Sequence, residues 1–298
     1  MGEAYLLLLA VHALGGCTTF FCKKYTQLTS GSAHTGNLFY IVVMGILSLL
    51  SFWLMAGRQL RTDSWTLTFA VISAFIYVGL NTIGLFAYSK VNLVLLSIFM
   101  KSVTIVNWTC GVLFFQETPT VSNTASMLIL CAAVFIPLMD LKHDKSNLRT
   151  TYLIGGIYLL LSSAYSIVMK IFLLGPEVDS PAVSSMLFFT HGLMSLLTVF
   201  ILLGRRAKNP TVFKQEISVI RWPAIICIFL ACLVGNPYSM LSSLVMQMLP
   251  LVQYSVLTAA LESVVTFLVS KFIFKETVGK STLIAFGLST LAMIINAL

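Results

Sequence analysis

The sequence predicts an all-α membrane protein with ten transmembrane helices in two inverted five-helix repeats, and three observations carry that prediction. The chain of 298 residues is 58% hydrophobic and 9% charged, too few charges to coat a soluble globule of this length. Ten apolar runs of about 20 residues follow one another, each long enough to cross a hydrocarbon core of roughly 30 Å. The first half also recurs in the second at an offset of 147 residues, with Gly45 facing Gly192, Tyr5 facing Tyr152 and Lys23 facing Lys170.

The runs span roughly 4–22, 35–56, 65–88, 91–115, 120–139, 151–174, 181–203, 222–246, 249–273 and 278–297. Their length, with no alternating short-strand pattern, predicts helices and excludes a barrel. The first run has Glu3 ahead of it and its basic pair, Lys23 and Lys24, behind it, the reverse of a signal peptide, so a retained helix is expected. The second carries the clearest repeat, Met44 to Ser51 against His191 to Thr198, ending in Gly57 Arg58 against Gly204 Arg205. The third places Tyr77, Asn81, Gly84 and Tyr88 on one helical face, and the fourth does the same with Ser97, Lys101, Thr104 and Trp108. After the fifth run, Asp140 to Asn147 is the most polar stretch, a solvated link in which His143 has no assigned chemistry. The sixth repeats the face His12, Gly16, Thr19, Lys23 of the first run as Leu159, Ser163, Ser166, Lys170. The seventh is followed by a basic polar loop, Gly204 to Glu216, within reach of anionic lipid headgroups. The eighth contains Gly235 Asn236 Pro237, which predicts a kink or break that frees carbonyls. The ninth carries Tyr254, Thr258, Glu262, Thr266 and Ser270 at every fourth position, a single polar stripe that should face inward. The organisation expected is a repeat over 1–140, a linker over 141–150 and a second repeat over 151–298.

Of the 18 basic residues, fourteen fall in connections on one side of the membrane, only Arg58 and Arg61 on the other, and Lys101 and Lys170 within spans. The positive-inside rule then places both termini outside. The net charge of +8 is thereby explained by orientation in a lipid bilayer, with no nucleic-acid partner implied. Five spans per half make each copy enter the membrane from the opposite side. Such inverted repeats permit two mirror-related states, with a site open to one side and then the other, which is the architecture of a secondary transporter. A duplicated helical unit without transport is the alternative.

Lys101 and Glu262 lie near the middle of corresponding runs. An ionised group at that depth costs at least about 2.5 to 3.5 kcal/mol unless it meets a cavity or a partner. Two readings stay open: Lys101 binds an anionic group of a small-molecule substrate while Glu262 binds a cationic group or a coupled proton, or the two form a structural salt bridge. Asn81, Asn236, Tyr77, Tyr254 and Thr258 complete the candidate substrate-binding set. His12 is read either as a proton relay or as a buried, hydrogen-bonded imidazole, whereas His191 and His34 are read as lying near segment ends. The six cysteines fall in apolar runs without metal-ligand spacing and are expected to pack. No phosphate-binding loop, HExxH or GxSxG occurs, so neither an enzyme nor a cofactor or metal is expected.

Phe114 Phe115 Gln116 Glu117 Thr118 before the fifth run and Phe274 Lys275 Glu276 Thr277 before the tenth, on two five-helix halves, resemble the drug/metabolite transporter superfamily and its EamA-type members. That family usually has Gly before this Glu, where Gln116 and Lys275 stand here. A lysine in the fourth helix is also similar to the nucleotide-sugar branch, where a cation suits phosphate, although Glu262 stands where that branch commonly has a basic residue. The resemblance implies a ten-helix transporter with both termini cytoplasmic, opposite to the loop charges. The expected function is secondary transport of a small polar metabolite by alternating access across the plasma (cytoplasmic) membrane, with the substrate held mid-membrane near Lys101 and Glu262. The alternatives are a nucleotide-sugar or sugar-phosphate antiporter and a non-transporting membrane scaffold or sensor.

Overall fold

The computed structural model describes residues 2–30, 33–90, 93–140, 148–275 and 279–297, with the side chains of 2, 3, 33, 90, 93–101, 137–140, 148–152, 263, 282 and 297 outside the description. Among the described residues it is all-helical, with no strand. The helices are α1 (Gly2–Leu28), α2 (Ala33–Met55), α3 (Ser64–Lys90), α4 (Leu93–Leu113), α5 (Val121–Asp140), α6 (Leu148–Leu173), α7 (Ser180–Lys208), α8 (Pro210–Ser218), α9 (Trp222–Met248), α10 (Leu251–Leu268), continued by a π-helical turn (Val269–Ile273), and α11 (Lys280–Ala297). Over the described residues, seven of them, α1, α2, α3, α6, α7, α9 and α10, are long and apolar enough to cross a membrane. The chain is therefore read as a multi-pass integral membrane protein. Helices are the form this sequence must take in lipid, because each backbone N–H and C=O then finds its partner within its own segment.

Among the described residues eleven α-helices are counted, where the sequence predicted ten transmembrane ones. The extra one, α8, lies in the basic stretch read as a loop; Pro210 starts it, as proline does at a first helical turn. A second difference concerns α1, which runs to Leu28 and so carries Lys23 and Lys24 inside the helix instead of in the connection. A third concerns α9, where the helix runs on through Pro237, so the Gly235 Asn236 Pro237 sequence does not break it.

Helix starts follow local chemistry. Asp179 caps α7 by accepting from the Ala182 N–H at 2.9 Å, with Pro181 in the first turn. Asp63 caps α3, accepting from the Thr66 N–H and the Thr66 hydroxyl, both at 2.8 Å. These bonds, the backbone one first, hold the Asp63 carboxyl below the usual aspartate range.

The chain divides into two compact units, each drawn from both halves of the sequence. One contains 1–16, 91–167 and 245–298, and the other 17–90 and 168–244. In the first unit α4 packs on α10 and α5 on α11, around a core of Met127, Leu130, Val256, Ala259 and Ala292. In the second α2 and α3 pack on α7, around Tyr25, Tyr40, Ile41, Met194 and Ile228 among others.

The α2–α7 contact depends on glycine. A Cβ on Gly45 would stand 2.0 Å from Ser195 Oγ and 2.8 Å from the His191 carbonyl, so only a hydrogen side chain admits this approach. Close approach then lets the Ser195 hydroxyl donate to the Val42 carbonyl at 3.1 Å. On the opposite helix the repeat mate Gly192 takes Leu49 at 3.2 Å from where its own Cβ would be.

Gly45→Val should destabilise the protein by about 1–3 kcal/mol, the range for overpacking a tight contact. Gly156→Ala, where an added Cβ meets nothing within 4 Å, should be neutral or stabilising by up to about 1 kcal/mol through helix propensity. Thermal unfolding in one detergent ranks the two variants. Because its carboxyl titrates lower when folded, Asp63 stabilises the folded state above the unfolded aspartate pKa, and that stability is lost as pH falls below about 4. Melting curves over that acid range should therefore be flatter in Asp63→Asn than in the parent.

Candidate functional site

The residues singled out from the sequence fall into two groups. Lys101, Tyr254, Thr258 and Glu262 belong to one unit; Tyr77, Asn81 and Asn236 belong to the other.

In the first unit α10 is the organising element. Its polar stripe is turned inward as expected: Tyr254, Thr266 and Ser270 are buried and Thr258 and Glu262 half-buried. Glu262 is engaged by its surroundings. The Thr258 hydroxyl donates back to the carbonyls of Tyr254 and Ser255, at 2.9 and 3.0 Å, which satisfies it within its own helix.

Two helices run along this stripe. The first half of α1 follows it in the same direction: the Tyr5 hydroxyl accepts from Gln253 at 2.9 Å, the His12 ring meets the Thr258 main chain, and Gly16 abuts Val265. His12 is buried, and its Nδ1 pairs with the Leu8 carbonyl at 2.8 Å. Its place is beside the stripe, one turn before Glu262. Helix α4 follows in the opposite direction. Gly111 abuts Val252, and Thr104 donates to the Ser255 carbonyl at 3.3 Å. One turn further back on α4, Lys101 therefore stands toward Thr258 and Glu262 in backbone position; its side chain lies outside the described residues. On the Lys101 face of α4, Trp108 Nε1 has no hydrogen-bond partner among the described residues, and neither has Oδ1 of the adjacent Asn107.

The motif glutamate has a structural task here. Gln116 takes the left-handed conformation, φ 54°, and the chain reverses with the Glu117 N–H on the Gly111 carbonyl at 3.1 Å, six residues back. The Glu117 carboxylate then accepts the N–H groups of Leu251 and Val252, at 2.7 and 2.8 Å, the first two of α10. A carboxylate at a helix N-terminus satisfies orphan donors and complements the dipole. Lys275, before the second motif, is also left-handed, at φ 51°. That is the conformation glycine adopts most readily, which gives the glycine usual at this place in the resembling family a physical reason.

In the second unit Tyr77 and Asn81 are half-buried on α3. Asn81 Nδ2 donates to the Tyr77 carbonyl at 2.9 Å and reaches Met194 Sδ at 3.7 Å. Asn236 is buried on α9 and its Oδ1 accepts from the Ser48 hydroxyl of α2 at 2.9 Å, which joins the two helices. His191, expected near a segment end, stands well inside α7 and is buried, its ring 5.3 Å from that of Tyr77 and 5.0 Å from that of Phe52. Its Nδ1 pairs with the Leu187 carbonyl at 2.8 Å. The sequence reading matched Lys23 with Lys170 but gave neither a site role: both are 6% exposed, and both are engaged by their surroundings. Their shared register in the repeat was the signal that could have found them. Among the described residues no cluster of His, Cys, Asp or Glu could hold a metal, and all six cysteines are free thiols.

No family model and no curated protein matches this chain. A solved crystal structure of a protein 14% identical in sequence superposes with a TM-score of 0.66, covering 99% of this chain and 96% of its own. At that identity the likeness shows the fold alone.

Glu117→Ala should destabilise the protein by about 1–3 kcal/mol, because it leaves two donors of α10 unmet. Gln116→Gly should stabilise it by up to about 1 kcal/mol through relief of the left-handed backbone. Thermal unfolding of both variants under one condition checks the opposite signs.

Proposed function

We propose that this protein is a secondary transporter of a small polar metabolite, with ten transmembrane helices in two inverted repeats, working by alternating access in the plasma membrane. The observation that carries the reading is the α10 seam. It presents a carboxylate, Glu262, at the centre of an apolar helix, and Lys101 approaches along α4 in backbone position. Nearby on α4 two buried polar atoms, Trp108 Nε1 on the Lys101 face and Asn107 Oδ1 beside it, have no described protein partner. Burying such atoms unmet costs about 1–3 kcal/mol each, and a bound polar substrate would offset that cost. The pairing of mates supports the inverted repeat: α2 packs with α7, α4 with α10 and α5 with α11, as elements related by a twofold axis do. The resemblance to the drug/metabolite transporters agrees with this, and the shared fold of the crystal structure is compatible with it.

A zwitterion satisfies Lys101 and Glu262 together, and His12, beside the same stripe, is the second candidate carrier of a coupled proton. The buried pair Lys23 and Lys170 favours a second reading, an antiporter for sugar phosphates or nucleotide sugars, since two further cations inside the protein suit an anionic substrate.

Purified protein in liposomes, tested for uptake of amino acids, sugar phosphates and nucleotide sugars, separates the two. For a zwitterion, Lys101→Ala and Glu262→Gln should each lower uptake about 10- to 100-fold, the equivalent of losing one charge-assisted hydrogen bond. For a phosphorylated substrate, Lys101→Ala alone should do so. Absence of flux for every class in folded protein would sink the transport reading.

A further inference from the structure

The basic end of the second unit is built from four helix termini. Arg205, Arg206 and Lys208 lie in the last turn of α7, Lys214 on α8 and Arg221 just before α9. Lys24, on the last turns of α1, is close enough for its charge to act on Cys227 of α9. The only acidic side chain from 204 to 222 is Glu216. It accepts from Arg205 at 3.1 Å and from the Thr35 hydroxyl of α2, so α8 is pinned down and Arg205 is neutralised. The cations left, Lys24, Arg206, Lys208, Lys214 and Arg221, are all exposed. Immediately beside them are the exposed apolar side chains of Phe200, Leu203 and Trp222, at 63%, 52% and 76% exposure. An exposed tryptophan at the end of an apolar helix marks the headgroup level of a bilayer. These apolar neighbours set this end of the unit at the bilayer surface, so the anionic groups lying nearest the cations are lipid headgroups.

We propose that this patch is a binding site for anionic phospholipid headgroups, with α8 lying in the interfacial layer and Trp222, Phe200 and Leu203 against the acyl chains. The site is independent of which metabolite, if any, the protein carries. It also predicts more than an orientation signal: a signal read during insertion needs no lipid afterwards, whereas this site keeps its ligand in the folded protein. Each cation near an anionic surface strengthens binding roughly fivefold, and Glu216 couples the occupied site to α2 and α7 through Thr35 and Arg205.

The test uses the full protein in nanodiscs of phosphatidylcholine alone and of phosphatidylcholine mixed with phosphatidylglycerol. Thermal unfolding should occur at a higher temperature in the mixed discs, and high salt should reduce that rise. The variant Arg206→Gln, Lys208→Gln, Lys214→Gln, Arg221→Gln changes exposed side chains only. It should match the parent in neutral discs, lose most of the rise in mixed discs, and retain phosphatidylglycerol at least about tenfold more weakly by native mass spectrometry. A second variant, Arg206→Lys with Arg221→Lys, preserves charge and should keep the rise, which separates lost charge from lost packing if the quadruple variant is less stable in neutral discs. No rise in the parent, an equal rise in the quadruple variant, or loss of the rise in the charge-preserving variant would overturn the proposal.

Discussion

Hydrocarbon offers no hydrogen-bond partner, and this constraint governs how the chain disposes of its polar atoms. Hydroxyls on α7 and α10 repeatedly donate to a carbonyl one turn back in the same helix, as buried Thr198 does to Met194 at 2.7 Å and half-buried Thr258 to Tyr254 at 2.9 Å. Where a hydroxyl or amide reaches another helix instead, it marks a contact that must be specific: Ser48 to Asn236 between α2 and α9, Thr104 to Ser255 between α4 and α10, and Asn296 to Asn123 between α11 and α5. Among the described residues, buried side-chain atoms of Ser73, Asn107, Trp108, Ser126, Ser163 and Asn296 stay outside this accounting. Of these, Trp108 lies on the face of α4 that also carries Lys101.

Without a hydrophobic force between helices in lipid, close association depends on small residues and good van der Waals contact. Gly45, Gly111 and Gly16 each stand where a methyl group would collide with a neighbouring helix. These glycines therefore admit the close approach of α2 to α7 and of α4 and α1 to α10, and hydrogen bonds tie α2 to α9, α4 to α10 and α5 to α11. Glu117 adds a different kind of restraint. Its carboxylate holds the first two N–H groups of α10, so the turn after α4 fixes the start of the helix that carries Glu262.

Each compact unit takes segments from both halves of the sequence, and α1 and α6 contribute to both units. This arrangement gives a residue near mid-membrane neighbours from distant parts of the chain. Glu262 has Thr258 on its own helix, His12 from 250 residues earlier and the Lys101 position from α4 alongside. A carboxylate and an imidazole thus lie along one seam, which the backbone of α4 approaches at Lys101.

Hydropathy alone located the apolar helices, because burial in lipid imposes a length and a composition that a window of about 20 residues detects. The inward stripe of α10 was equally legible, since a fourfold polar spacing on an apolar helix has only one face on which to lie. Lys101 and Glu262 stood out because charge at that depth is rare. His191 was misplaced by misreading its position within its run, and α8 was missed because a nine-residue helix in a polar stretch has no hydropathic signature. The sequence by itself determined which apolar segments are helical and which atoms are costly to bury. Only the tertiary structure decided that Asn236 is bonded to Ser48, that Glu117 caps α10 and that Lys23 and Lys170 are inside. Those outcomes depend on which helices approach closely enough to share a hydrogen bond, a contact between residues more than a hundred positions apart that no local periodicity encodes.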